Sequence, residues 1–438
     1  MGRLFGTDGV RGTYGTDLTD DLARALGRGA ARVLGAGTTK PRLLIGRDTR
    51  ASGPSLERAL ASGFASAGGE VLTAGVFPTA GIAYLVHTND FVAGAVISAS
   101  HNPARDNGIK FFGHDGMKLP DAVEDEIEQA MDDVDDTEVS IEEMLDAEDR
   151  YVGFLLDGVP SLAGLRIVVD CANGAASNIA PEVYRLAGAL DVVALFADPD
   201  GTNINDHCGA TQPERLQEAV RARGAHIGIA HDGDADRCIA VDEHGRLVDG
   251  DQILAICATE ARARGVLPRD SVVTTVMANL GFRKAMSREG IDVVETAVGD
   301  RYVLGAMLER GITMGGEQSG HTIFLDHHTT GDGILTALLL MSVIARTGHG
   351  LSDLAARFPR FPQVMVNVPV RDRDALGSAE AVWSAVRAAE TSLGDDGRVL
   401  VRASGTEQLV RVMAEAPTED VARAAVETIV TAVRASLA

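Results

Sequence analysis

Residues 232–236 read DGDAD, three carboxylates at i, i+2 and i+4. In an extended segment alternate side chains share a side, so Asp232, Asp234 and Asp236 converge on one point. Converging carboxylates repel one another, and a hard divalent cation relieves the repulsion. All-oxygen ligation selects Mg2+ or Ca2+ over softer metals. A calcium loop of the EF-hand type needs glycine at position six and an acidic residue at position twelve. Position twelve is Glu243, but position six is Arg237, and the CIAV that follows reads as strand. A Mg2+ site is the expectation; a metal-free solvated turn is the plainer alternative. Arg237 adds a guanidinium suited to an anionic ligand such as phosphate.

Three further clusters carry chemistry. ISASHNPARDNGIK (97–110) follows a β-branched run and turns abruptly small and polar. A serine there most commonly caps a turn. Ser100 beside His101 also raises the question of a hydrolase, but no G-x-S-x-G elbow surrounds it, and neighbours in an extended segment face apart. GGEQSGH (315–321) gathers Glu317, Gln318, Ser319 and His321 between glycines. That set suits the vicinal hydroxyls or amine of a sugar, or simply a satisfied turn. RASGTEQLVRV (402–412) offers two guanidinium forks, Arg402 and Arg411, two hydroxyls, Ser404 and Thr406, and close backbone approach at Gly405. This is an inventory for holding phosphate, and it also fits a generic surface turn.

The elements that must position these clusters follow a repeated pattern of apolar strand, Gly-rich loop and helix. PRLLIGRD (41–48), VLTAGVFP (71–78) and VAGAVISAS (92–100) read as strands, with a helix over 55–69. LRIVVDCANGAAS (165–177) opens a second unit, which continues through the helix PERLQEAVRARG (213–224) to HIGIAHDGDADRCIAVDEHG (226–245). A third unit starts near Gln252. After RFPRFPQ (357–363) come three strands and a closing amphipathic helix at 418–437. The acidic run at 121–146 reads as a solvated helical linker. Three βα units and a smaller α+β unit make the expected α/β organisation.

The composition narrows the function classes. The chain has 438 residues, a formal net charge of −23 and a hydrophobic fraction of 45%, but only 4% aromatic residues. The core is therefore aliphatic, and the charge opposes non-specific binding to nucleic acid or an anionic membrane. Lys40, Lys110, Lys118 and Lys284 are the only lysines, so Lys110 and Lys118 put half of them within nine residues. The four cysteines show no CxxC pairing. No signal peptide or span of ~18 apolar residues is visible, so a cytoplasmic protein is expected.

Taken together and in this order, GRLFGTDGVRG (2–12), ISASHNP, DGDADR, GGEQSGH and RASGTE resemble the motifs of the α-D-phosphohexomutase superfamily over essentially the whole chain. The resemblance implies mixed α/β domains at 1–150, 151–250 and 251–362, and a smaller α+β lid at 363–438, around a central cleft. It implies an intramolecular phosphotransferase whose Ser100 is the phosphorylated nucleophile. Asp232, Asp234 and Asp236 would hold one Mg2+ together with an oxygen of phospho-Ser100. Arg11, His101, Lys110 and Arg237 would lie near the transferring phosphoryl group, with Lys110 a proton-transfer candidate. Glu317 and Ser319 would read sugar hydroxyls, while Arg402, Ser404, Gly405, Thr406 and Arg411 would hold the non-reacting phosphate.

Gln318 and Asp300-Arg301 look like the branch acting on glucosamine phosphates. That branch implies exchange of the 6- and 1-phosphates through a hexosamine bisphosphate, which is both intermediate and activator. A glucose- or mannose-phosphate mutase shares the catalytic residues and is the alternative. The expected partner is a small sugar phosphate, with a homodimer as an assembly the sequence allows. The family's last motif usually runs S-G-T-E-P; position 408 here is Gln, which is expected to loosen that loop without removing its ligands.

Overall fold

The apolar runs form four sheets in the computed structural model, which describes residues 3–6, 8–132, 138–404 and 408–437. The first sheet has the order Val10–Thr13, Asp106–Gly113, Ala93–Ile97, Arg42–Arg47, Glu70–Val76, Glu142–Glu143. Arg42–Arg47 runs parallel to the strands on both sides of it, and Asp106–Gly113 returns antiparallel. In the second, Arg166–Asp170 lies parallel between Asp191–Leu195 and Ile227–Ala230, and Ile239–Asp242 returns antiparallel. In the third, Ser271–Thr275 lies parallel between Asp292–Thr296 and Met314–Gly316, and Thr322–Phe324 returns antiparallel.

The three sheets therefore share one plan. A buried parallel strand ends in a loop and the chain returns antiparallel beside it. Those loops are 98–105, 231–238 and 317–321, so SASHNP, DGDADR and EQSGH occupy the same place in three different sheets. Each follows the carboxyl end of a parallel strand, where α/β sheets commonly place ligands.

The three sheets and their helices form one compact unit, residues 1–277 and 290–357. The other unit, 278–289 and 358–438, has an antiparallel sheet in the order Gln363–Pro369, Leu409–Glu415, Arg398–Ala403. The helices Glu380–Leu393 and Glu419–Leu437 cover it around Val382, Val410, Val412, Val426 and Ile429. The helix Leu280–Arg288 lies in sequence between strands of the third sheet, yet belongs to this unit. Buried Glu415 accepts from Leu280 N at 2.7 Å and pairs with Arg398 at 2.6 Å, and Arg398 donates to Ala278 O at 2.6 Å.

Two expectations are corrected. The acidic run is not uniformly solvated: in the helix Asp121–Gln129, Glu124 is buried and pairs with Arg3 at 3.1 Å, while Glu128 accepts from the N–H groups of Leu4 and Phe5. The run supplies counter-charges to neighbouring cations as well as a polar surface. The DGDAD segment is a turn rather than an extended strand, with Ala235 at φ +61°. The turn brings the three carboxylates together by folding the chain back, not by alternation.

Candidate active site

The strand Ala93–Ile97 is fully buried and delivers Ser98 and Ser100, both buried, at its end. Ser98 Oγ donates to Asp48 at 2.6 Å and accepts the Ser100 N–H at 2.9 Å. Ser100 has φ +51°, a left-handed conformation that serine rarely adopts. There its Oγ donates to Asp232 at 2.5 Å and lies 3.3 Å from His101 Nδ1. The expectation that Ser100 and His101 face apart rested on an extended backbone and is therefore wrong. Burial, with the charges of Arg237 and Arg11 beside it, lowers the His101 pKa to about 4.

Asp232, Asp234 and Asp236 are buried, with one carboxylate oxygen from each lying within 4.8 Å of the others. Asp234 accepts from Thr79 Oγ1 and Lys110 Nζ, each at 2.6 Å, and Lys110 lies 3.6 Å from Asp236. Burial and the Asp236 and Asp234 charges push the Asp232 carboxyl up to about 8. Burial works against the charged forms of Asp234 and Lys110 as well. Their mutual attraction overrides it, holding Asp234 well below the carboxylate range and Lys110 well above the lysine range. The Oδ1 atoms of Asp234 and Asp236 are buried without a hydrogen-bond partner. Unsatisfied buried oxygens are costly, and three converging carboxylates leave an excess of negative charge; both features fit a hard divalent cation.

Arg237 lies 3.8 Å from Asp232, and Arg11 pairs with Asp8 and donates to Ala99 O at 3.4 Å. His321 lies 4.0 Å from Asp236 and 3.8 Å from Asp300. Asp300 pairs with Lys118, which also holds Asp8 at 2.5 Å. Sequence reasoning left Asp8, Thr79 and Lys118 out of the site and placed His321 only with the sugar-facing set of its motif. Lys118 had a signal as one of four lysines.

Glu317 accepts from Gly299 N at 3.2 Å, Gln318 donates to Asp249 at 3.3 Å, and Ser319 is exposed. Gly320 has φ +96°, and a Cβ there would come 2.5 Å from Cys238 O, so the turn requires glycine. The Cys238 N–H donates to that glycine's carbonyl at 3.0 Å, joining this loop to the aspartate loop. Arg301, next to Asp300 in sequence, pairs with Asp121 and Glu124.

In the smaller unit Arg402 and Arg411 stand opposite one another across antiparallel strands. Burial and the Arg411 charge lower the Arg402 pKa. Like charges directly opposite are destabilising, so the pair suits an anion. Ser404 is buried, and its carbonyl accepts from Arg373 at 2.7 Å. Gly405 and Thr406 lie outside the described residues. Gln408 Oε1 accepts from Arg373 N at 3.4 Å, a tie that proline could not make.

Family models for domains I, II, III and the C-terminal domain of phosphoglucomutase/phosphomannomutase match residues 2–138, 149–245, 249–361 and 365–432. The chain belongs to this family, a branch of the α-D-phosphohexomutases. It is 52% identical to the phosphoglucosamine mutase of Heliobacterium modesticaldum, covering 98% of both chains. It is 53% identical to that of Saccharopolyspora erythraea, covering 97% of both. Among solved structures it is similar to a phosphoglucomutase/phosphomannomutase family protein of Burkholderia thailandensis, with a TM-score of 0.83 and 26% identity over 99% of this chain and 97% of that one. The loops 98–105, 231–238 and 317–321 lie in the stretches matched by domains I, II and III, and RASGTE lies in the stretch matched by the C-terminal domain.

Proposed function

We propose that this chain interconverts glucosamine 6-phosphate and glucosamine 1-phosphate through a phosphoserine at Ser100 and a hexosamine bisphosphate intermediate. The observation that carries the reading is the Ser100 hydroxyl, turned by its left-handed backbone to within 2.5 Å of a buried three-carboxylate cluster. The full-length relatives at 52–53% identity, named as phosphoglucosamine mutases, support the choice of sugar. Glucose or mannose phosphate as the preferred substrate is the alternative outcome.

In the forward half-reaction the P–O bond to Ser100 Oγ breaks as a bond forms from phosphorus to the free sugar hydroxyl. The hydroxyl proton leaves, and the serine oxygen regains one. The bisphosphate turns around and returns its other phosphoryl group to Ser100. Such transfer needs positioning and charge neutralisation more than covalent help. Asp232, Asp234 and Asp236, with an oxygen of phosphorylated Ser100, would hold Mg2+, which supplies positive charge to the phosphoryl oxygens. Arg237 and Arg11 are the guanidinium donors beside the serine. Lys110 is held as a cation by Asp234, so its charge rather than a free amine is what it offers in this arrangement. Neutral His101 stands within reach of the serine oxygen as a proton carrier. Glu317, Gln318 and Ser319 are assigned to the sugar hydroxyls and amine. Arg402, Ser404 and Arg411 are assigned to a phosphate ester. Sugar phosphates as substrates point to the cytoplasm, and among the described residues no helix is long and apolar enough to cross a membrane.

The test compares kcat/KM for glucosamine, glucose and mannose phosphates with a bisphosphate activator present. Glucosamine phosphates should lead, and Ser100→Ala should lose several orders of magnitude in turnover. Near-wild-type mutase activity in that variant would refute the phosphoserine, and preference for glucose or mannose would refute the sugar assignment.

A further inference from the structure

The serine loop is gripped on its carbonyl side by groups that the chemistry above does not use. Arg50 is fully buried. It donates to Ser100 O at 3.0 Å, Asn102 O at 2.9 Å and Pro103 O at 3.2 Å. Asn205, also buried, donates to Ser100 O at 2.9 Å and Asn102 O at 3.1 Å. A carbonyl oxygen has two lone pairs, so the Ser100 and Asn102 carbonyls are each saturated by an arginine and an amide. We propose that Arg50 and Asn205 are positioning residues that clamp the serine loop by its carbonyls, holding Ser100 in its left-handed conformation and so its hydroxyl at Asp232.

Three further observations support this. First, both backbone groups of Ser100 are committed: the carbonyl to the clamp and the N–H to Ser98 Oγ, itself tied to Asp48. Asp48 pairs with Arg50 at 3.1 Å, so one buried ion pair anchors both sides of the residue. A guanidinium cannot deprotonate, so this grip is constant over the working pH range.

Second, the two halves of the clamp come from different α/β units. Arg50 follows the strand Arg42–Arg47 of the first sheet. Asn205 lies in the second unit, where its N–H donates to Ala172 O at 2.9 Å. The contact between these units is reinforced where Ala51 N donates to Gly201 O at 2.9 Å and Thr49 Oγ1 to Asn173 O at 2.5 Å. The unit that supplies Asn205 also supplies Asp232, so the nucleophile is registered to the carboxylates by the unit that carries them.

Third, Gly233 of the aspartate loop approaches the same point. A Cβ there would meet Ser100 O at 2.6 Å and Asn205 Nδ2 at 3.0 Å. The segments that carry Arg50, Asn205 and Gly233 thus meet at one carbonyl oxygen of the serine loop.

The inference rests on the mutase reading, and the test separates the two. Asn205 has φ +58°, so Asn205→Gly removes the amide without straining the backbone. Arg50→Lys keeps the charge that Asp48 needs but cannot reach three carbonyls. A displacement of about 1 Å at a reacting group costs on the order of 100-fold in rate. Both variants should lose kcat by about 10- to 100-fold, with KM for the sugar phosphate within about threefold of wild type. The melting temperature of Asn205→Gly should stay close to wild type. In crystals of Asn205→Gly, Ser100 should leave its left-handed conformation and its Oγ should move away from Asp232. A kcat within threefold of wild type, a loss confined to KM, or an unmoved Ser100 overturns the clamp. If the wild type fails to turn over glucosamine phosphates, the mutase reading falls, and the position of Ser100 in the variant still decides the clamp.

Discussion

Ser100 sits where serine ordinarily does not, and a non-glycine residue held in that region costs on the order of 1–3 kcal/mol. The same logic of offset costs governs Lys110, buried between Asp234 and Asp236. Lys110→Met should therefore destabilise the metal-free protein by about 3–5 kcal/mol, since it leaves buried carboxylates uncompensated. Mg2+ should narrow that gap, because a cation bound by the same carboxylates replaces the lost charge. Melting temperatures in chelator and in excess Mg2+ check this, and an equal gap in both would count against the metal site. At this scale the spacing of DGDAD and the small residues of SASHNP already point to the carboxylate cluster and the serine. Thr79, Asp48, Arg50 and Asn205 are illegible in the sequence, because they meet those motifs only through folding, from 50 to 155 residues away. Thr79 donates to Asp234 much as outer-shell partners orient metal ligands. Thr79→Val should weaken Mg2+ affinity by about 10- to 100-fold, measured by calorimetric titration.

Three loops at equivalent places in three sheets are a consequence of strand order. Each of these three motifs is the connection from a buried parallel strand to its antiparallel neighbour. Apolar runs and glycine breaks reveal these strands directly, which is why most of them are legible. The turn geometry is not, because it depends on residues such as Ala235 that take a left-handed conformation only under tertiary constraint. Where glycine is demanded by a neighbouring backbone, substitution should be severe. Gly320→Ala meets both φ +96° and the Cys238 carbonyl at 2.5 Å, and should lower stability by about 1–3 kcal/mol in urea unfolding. Gly305, within the helix Asp300–Arg310 and facing open space, is the matched control. Gly305→Ala should raise stability by about 0.5–1 kcal/mol, since it removes only the entropic cost of helical glycine. Loss at both positions would mean that the loop's need for glycine is no more than a general intolerance of added bulk.

A net charge of −23 suggests a molecule whose pH response is set by its acidic surface, yet the groups with raised or lowered titration are mostly buried. Charge totals read from the sequence miss this, because burial belongs to the whole fold. His231 and His328 are examples: burial lowers both to about 4. His328 is held as one neutral tautomer, with Nε2 donating to Ala80 O at 2.8 Å and Nδ1 accepting from Thr329 N at 2.7 Å. A histidine with a folded pKa below its unfolded value of about 6.5 binds fewer protons when folded. Its stabilising contribution is complete above pH 6.5, falls as pH drops towards 4, and changes no further below that. Asp170 and Asp332, which burial raises to about 6, act in the opposite sense, losing stabilisation as pH rises through that value. The wild-type profile is therefore a sum of opposed slopes, and a difference between two proteins isolates one of them. His328→Gln keeps a donor for the Ala80 carbonyl and cannot titrate. At pH 7 it should be the less stable protein, and the gap should shrink by up to about 1.4 kcal/mol per pH unit between 6.5 and 4. Urea midpoints at half-unit pH intervals measure this directly. A gap that stays constant across that range would mean that His328 is not carried neutral into the fold.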